Sequence, residues 1–238
     1  MPNWVRTRLT FNGEKNRVAE IKELVKTTGK DDEGRDYTNE FDFNKVIPMP
    51  EELNIPSSSS GEWGMRYLIL KSQNSILWTE DDRSFMERME KQKEENPDSF
   101  NEDIELGKKY LSNISKYGYK DWYNFRCDQW GTKWGASEVV WITDDSVEFE
   151  TAWSFCHPIV KKLSEMFPDV EIVFCFADED ASYNCGQGKL KNGDHIEEYY
   201  PDGGSKRAYE IYLDLHPEYE DELVYDPDSD NYKWIDQD

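Results

Sequence analysis

The order of strand-forming and helix-forming runs constrains this chain more than any single motif. Trp4-Val5-Arg6-Thr7-Arg8-Leu9-Thr10-Phe11 is rich in strand formers and stops at the turn signal Asn12-Gly13. Over residues 14–28, Val18, Ile21, Leu24 and Val25 recur at helical spacing, and Gly29 closes the helix. Residues 41–47 read as a second strand, ended by Pro48 and Pro50, which cannot donate to a sheet ladder. The rhythm returns much later. Residues 138–143 and 146–153 read as two strands joined at Asp144-Asp145. Pro158 opens a short helix with Ile159, Leu163 and Phe167 apolar, and Val170-Glu171-Ile172-Val173-Phe174-Cys175-Phe176 reads as a buried strand.

Between these halves the strand rhythm breaks. Ser57-Ser58-Ser59-Ser60-Gly61 reads as a flexible joint, followed by helical stretches near 62–73, 79–95 and 98–117. In the middle stretch, Glu87/Lys91 and Arg83/Glu87 sit at i,i+4, as on a solvated helix. With this block set aside the order is β-α-β-β-α-β, the ferredoxin-like split βαβ motif. The expected fold is therefore α+β, with an antiparallel sheet from residues 4–11, 40–47, 146–153 and 169–176. Both helices are expected on one face of it. The domain reading is 1–55 and 136–180 as the ferredoxin-like domain, 56–135 as a helical insertion, and 181–238 as an acidic, β-rich extension. Within that extension, residues 181–200 read as a hairpin turned near Gly193. Residues 206–215 suit a helix through Ala208, Ile211 and Leu215, or a strand through Tyr209, Ile211 and Leu213. Residues 222–235 carry a weak hairpin pattern around 227–230.

Four phrases within this framework resemble a family. They are Pro2-Asn3-Trp4-Val5, Phe41-Asp42-Phe43-Asn44-Lys45-Val46-Ile47-Pro48-Met49-Pro50, Trp130-Gly131-Thr132-Lys133-Trp134 and Phe149-Glu150-Thr151-Ala152-Trp153-Ser154. In this order they resemble the YubB-type ferredoxin-like proteins carried by plasmids, phages and genomic islands, over roughly residues 1–180. The resemblance implies a ferredoxin-like fold and a mobile-element origin, in a family without an assigned activity. The fold name is topological and brings no iron–sulfur cluster, since the cysteine spacing cannot ligate one.

Charge is uneven along the chain. The formal net charge is −23, yet residues 1–30 carry seven basic and three acidic groups. Residues 169–238 carry five basic and 20 acidic groups, a net of −15. Such a surface repels nucleic acid and anionic membrane and attracts a basic partner. Its carboxylates alternate with tyrosines, which serve well at interfaces. Glu197, Glu198, Tyr199, Tyr200, Asp202, Glu210, Tyr212, Asp214, Glu220, Asp221 and Glu222 are the expected partner-binding residues. Duplex DNA carries a charge per ~1.7 Å of axis, so carboxylates spaced along a folded surface can occupy a basic nucleic-acid cleft.

Catalytic and metal-binding patterns are weak by comparison. Cys127, Cys156, Cys175 and Cys185 form no C-x-x-C pair and read as reduced thiols. His157, His195 and His216 are 38 and 21 residues apart, and the neighbours Cys156 and His157 lack an oxyanion-hole motif. Asp226, Asp228 and Asp230 match the start of a Ca²⁺ loop, but Asn231 and Gln237 stand where Gly and Glu are required. Gly186-Gln187-Gly188 lacks G-K-[ST] and reads as a turn. In the signature, Trp130 and Trp134 could stack on a base with Lys133 on a phosphate, but packing at a domain junction is the favoured reading for Trp130, Gly131, Thr132, Lys133 and Trp134. No catalytic residue, metal or cofactor is assigned.

These residues lead to one functional expectation. The chain is a non-enzymatic acidic protein of a mobile element, an anti-defence inhibitor and possible DNA mimic. Its partner is a basic, nucleic-acid-binding host protein such as a nuclease or CRISPR effector, with no direct contact to nucleic acid or membrane. The alternatives are a divalent-metal-dependent nucleotide or nucleic-acid processing enzyme and a phage structural or accessory protein. No apolar run approaches the roughly 18 residues of a membrane span. Met1-Pro2-Asn3-Trp4 starts no signal peptide, so the expected location is the cytoplasm.

Overall fold

The computed structural model describes residues 2–31 and 33–235. They form two compact units, one from residues 1–48 and 126–238 and the other from 49–125.

The first unit opens with strand β1 (Trp4–Asn12) and helix α1 (Lys15–Val25). A two-stranded ribbon, β2 (Thr27–Lys30) and β3 (Asp36–Asn39), follows, and then the short helix α2 (Phe43–Val46). In the second unit α3 (Ser59–Ser72), α4 (Glu80–Glu95) and α5 (Pro97–Tyr117) are the main helices. Helix α6 (Trp122–Gln129) returns the chain to the first unit. There β4 (Ser137–Trp141), β5 (Ser146–Ala152), α7 (His157–Met166) and β6 (Glu171–Asp178) complete the motif. The chain ends through β7 (Cys185–Lys191), β8 (Asp194–Tyr199), α8 (Lys206–Leu215), β9 (Leu223–Asp226) and β10 (Asn231–Trp234).

Six strands form one antiparallel sheet in the order β4-β5-β1-β6-β7-β8. Its first four are the ferredoxin-like sheet, with β1 between the two strands that flank α7. The fold class is thus α+β and ferredoxin-like. The second strand of the motif, however, is Ser137–Trp141 and not residues 40–47. That segment was misleading because Phe41 and Phe43 are both buried two positions apart, the spacing of a half-buried strand. Instead Asp42 caps α2, its Oδ1 accepting from the Asn44 backbone N–H at 2.9 Å. Phe41 then stacks on Phe149 at 5.0 Å, and Phe43 meets Trp130 edge-on at 5.7 Å. All of the chain from β2 to α6 is inserted between α1 and β4.

Alternation along β1 sorts the two faces. Val5, Leu9 and Phe11 are buried beneath α1 and α7, which lie side by side, with Arg17 of α1 over Phe167 at the end of α7. Arg6 and Arg8 point to the other face, opposite Glu150 and Glu148 of β5, and pair with them at 3.5 and 2.6 Å. The two helices of the motif do not cover that face. Helix α8 does, burying Ala208, Ile211, Tyr212 and Leu215 against Ala177, Cys185 and Leu223. The extension is therefore not simply β-rich: it lengthens the sheet by two strands and roofs its second face with a helix, and residues 206–215 are that helix.

Gly186-Gln187-Gly188 is strand, not turn. A Cβ on Gly188 would lie 2.4 Å from the Glu197 carbonyl oxygen and 2.6 Å from Phe174, and one on Gly186 would lie 2.6 Å from Tyr200. Aromatic rings lie across these glycines, so the low strand propensity of glycine is offset by packing.

In the second unit, Tyr67, Leu70, Phe85, Met86, Met89 and Phe100 form the core. The serine run is not a free joint: the Ser58 hydroxyl accepts from Gly61 N–H and caps α3. Thr79 and Asp82 form a reciprocal capping box at the start of α4. No helix among the described residues is long and apolar enough to cross a membrane.

Candidate functional site

The structure sorts the expected partner-binding residues by burial and by ion pairing. Tyr212 is only 2 % exposed, stacked on His216 at 4.5 Å, and cannot meet a partner; its burial follows from facing the sheet on α8. Four carboxylates are engaged within the unit: Glu197 with Lys189, Glu198 with His195, Glu210 with Arg207, and Asp214 with Arg8. Glu222 is half-buried at the base of the last hairpin, its N–H donating to the Tyr219 carbonyl. Asp202, Glu220 and Asp221 are exposed, and among the described residues no ion pair engages them or Asp228. Tyr199 and Tyr200 are exposed at the outer edge of β8.

Sequence-distant acidic residues meet in one groove. It lies between α8 and the β9–β10 hairpin, encloses about 480 Å³, and takes Glu210, Asp214 and Glu220 as its carboxylates. Leu213, Leu223 and Val224 supply its apolar lining, with Tyr225 and Tyr232. Tyr225 and Tyr232 meet only through the hairpin register, which sets Tyr232 opposite Tyr225. The aspartates of the Ca²⁺-like run hold this hairpin: Asp226 pairs with Lys233 at 3.1 Å and Asp230 with Lys206 at 2.7 Å. Those cations keep both carboxyls below their usual range, first through direct hydrogen bonding.

The tryptophan signature packs inside the first unit. Trp130 is 2 % exposed and donates its indole N–H to the Ile47 carbonyl at 2.9 Å. Thr132 is buried and donates to the Ala152 carbonyl at 2.7 Å, while a Cβ on Gly131 would strike Pro158 at 2.7 Å. Lys133 lies over the rings of Trp134 and Trp153.

One cluster was not legible in the spacing of the histidines. His157 begins α7 and His195 lies on β8, and their Nε2 atoms are 2.8 Å apart, with the rings nearly parallel. The Glu198 carboxylate is in ion-pair contact with Nδ1 of His195. Burial, and after it the neighbouring His195, hold the pKa of His157 below the ordinary imidazole value. Among the described residues the four cysteines form no disulfide. Burial pushes the Cys156 thiol up, the reverse of an activated nucleophile, and raises Cys175 to about 12 and Cys185 to about 11.

Strand order and the α7 crossover define a ferredoxin-like domain with a sheet extension. In agreement, residues 129–222 match a family model described as "Ferredoxin-like domain in Api92-like protein". A solved structure, described as the crystal structure of a protein api92 from Yersinia pseudotuberculosis, covers 85 % of this chain and 99 % of its own at 10 % identity, with a TM-score of 0.35. No curated protein matches the chain.

Proposed function

We propose that the chain is a non-enzymatic interaction protein of a mobile element. It binds a basic, nucleic-acid-binding host protein in the cytoplasm and inhibits it by occupying its nucleic-acid cleft. The observation that carries this reading is the groove between α8 and the last hairpin, where Glu210, Asp214 and Glu220 border apolar and tyrosine side chains. A lysine- or arginine-rich segment with apolar residues suits that mixture. The carboxylates of Asp202, Glu220, Asp221 and Asp228, which no ion pair engages among the described residues, supply the steering field.

The test compares capture from host cells by the wild-type chain and by E220Q/D221N, at low and moderate salt. A basic protein held by the wild type, released by added DNA or RNA and lost with the variant, supports the proposal. A partner retained equally by both, or indifferent to nucleic acid, refutes the cleft-blocking reading.

A further inference from the structure

Three metal-competent side chains meet where α7 begins beside β8. We propose that His157, His195 and Glu198 form a site for a divalent transition-metal ion of the zinc class. Their donor atoms, one from each residue, all lie within 4.8 Å of one another.

Backbone geometry brings the set together. In a regular strand, residues three apart point to opposite faces. The β7–β8 register shifts between Lys189, opposite Glu197, and Leu190, opposite His195, so Ile196 is an extra residue. This bulge turns His195 and Glu198 to the same side, the use to which bulges are put near functional side chains. The hairpin is also tied to α7: the Gly193 backbone N–H donates to the buried Ser164 hydroxyl at 3.1 Å. Beneath the pair, Phe155 lies 6.2 Å from His157 and stacks on Phe176 at 4.6 Å, which fixes the first turn of α7.

The two imidazoles face each other nitrogen to nitrogen. Only one proton can lie between two Nε2 atoms 2.8 Å apart. Nδ1 of His195 is buried and lies against the Glu198 carboxylate. A cation held through Nε2 of both rings would take the place of the shared proton, with Glu198 as the third ligand. Tetrahedral ligands at bond lengths of ~2.0–2.2 Å stand about 3.3 Å apart, so the rings must part by about 0.5 Å and Glu198 must close in by up to about 1.5 Å. His195 and Glu198 are 25 % and 38 % exposed on their side chains, which leaves room for that adjustment.

The donor set also selects the ion. Two imidazoles and one carboxylate suit zinc, nickel, copper or iron, whereas magnesium and calcium prefer all-oxygen sites. Three protein ligands leave a position for water or for an atom of a bound molecule. The site contains no residue of the acidic groove, so it stands or falls separately from the partner-binding reading.

The experiment titrates chelator-stripped full-length protein with Zn²⁺ and, separately, Ni²⁺, against a chromophoric indicator and in excess Mg²⁺ and Ca²⁺. Histidine ring resonances are followed by NMR in parallel. A single equivalent should bind despite Mg²⁺ and Ca²⁺, and the His157 and His195 signals should move while His216 stays. His157→Ala and His195→Ala should each weaken binding by more than about 100-fold, and Glu198→Gln by more than about 10-fold, since loss of a contact that only supports a ligand already costs about 10–100-fold. E220Q/D221N should leave the affinity unchanged. Thermal melts of the metal-free variants separate lost binding from lost folding. Binding that Mg²⁺ displaces, that survives both histidine changes, or that never occurs would overturn the proposal.

Discussion

Arg8 of β1 donates to Asp214 of α8 at 2.8 Å, joining the basic start of the chain to its acidic end across 206 positions. The same guanidinium donates to the Asp214 backbone carbonyl at 2.9 Å and to Glu148 at 2.6 Å. Part of the acidic excess is therefore structural: Arg6 and Arg8 hold α8 over the second face through Asp214, Glu218 and the Leu215 carbonyl. Asp214→Asn should cost only about 0.2–1 kcal/mol in a urea melt, because the pair is partly exposed and Arg8 keeps its other partners. A loss of several kcal/mol would mean that the contact, and not apolar burial, seats the helix.

Apolar burial should dominate at the next turn. Ile211 is 2 % exposed in the cluster with Ala177, Cys185 and Leu223. Ile211→Ala should cost about 2–5 kcal/mol in the same melt. A change below about 1 kcal/mol would contradict the placement of α8 as the cover of the second face.

Gly188 tests the extended sheet. Its alanine variant must displace the Glu197 carbonyl or the Phe174 ring, since the new Cβ would lie 2.4 and 2.6 Å from them. Overpacking of this kind costs about 1–3 kcal/mol. Amide exchange should accelerate in β8 before it does in β1 or β5. Unchanged exchange in β8 would show that the strand is not held against β7 as described.

Acid should loosen α4 through its cap. The Arg66 guanidinium, followed by the Thr79 hydroxyl, lowers the Asp82 carboxyl to about 2. Because the folded value lies below the usual ~4 of an aspartate, the stabilisation is present above about pH 4. It is lost as the pH falls toward 2. Between those limits, wild type should lose helical circular dichroism that Asp82→Asn has already lost at neutral pH. Parallel titration curves for the two proteins would rule out the cap as the source.

These expectations also show where the sequence could be read. Strands β1, β5 and β6 were legible because each buries alternate residues, and α4 through the i,i+4 charge pairs Arg83/Glu87 and Glu87/Lys91 of a solvated helix. Residues 41–47 were misread because Phe41 and Phe43 imitate strand alternation while Asp42 starts a helix. Gly186 and Gly188 were misread because the rings that need their bare backbone come from Phe174, Phe176 and Tyr200, in other segments. The acidic residues were visible, but not which of them Arg8, Lys189 and Arg207 would engage. The histidine cluster was least legible of all. It depends on one bulged residue, Ile196, and on a hairpin folded back over the start of α7.

Binding of a basic partner at the acidic groove is the central claim, and zero-length carbodiimide cross-linking in host cell extract tests it most directly. Mass spectrometry then reads which carboxylate is joined to a partner lysine. The account predicts links from one basic, nucleic-acid-binding protein to Glu220, Asp221 or Asp202, suppressed by raised salt or added nucleic acid. Links spread equally over Glu87 on the solvated face of α4, or none from the C-terminal carboxylates, would contradict it.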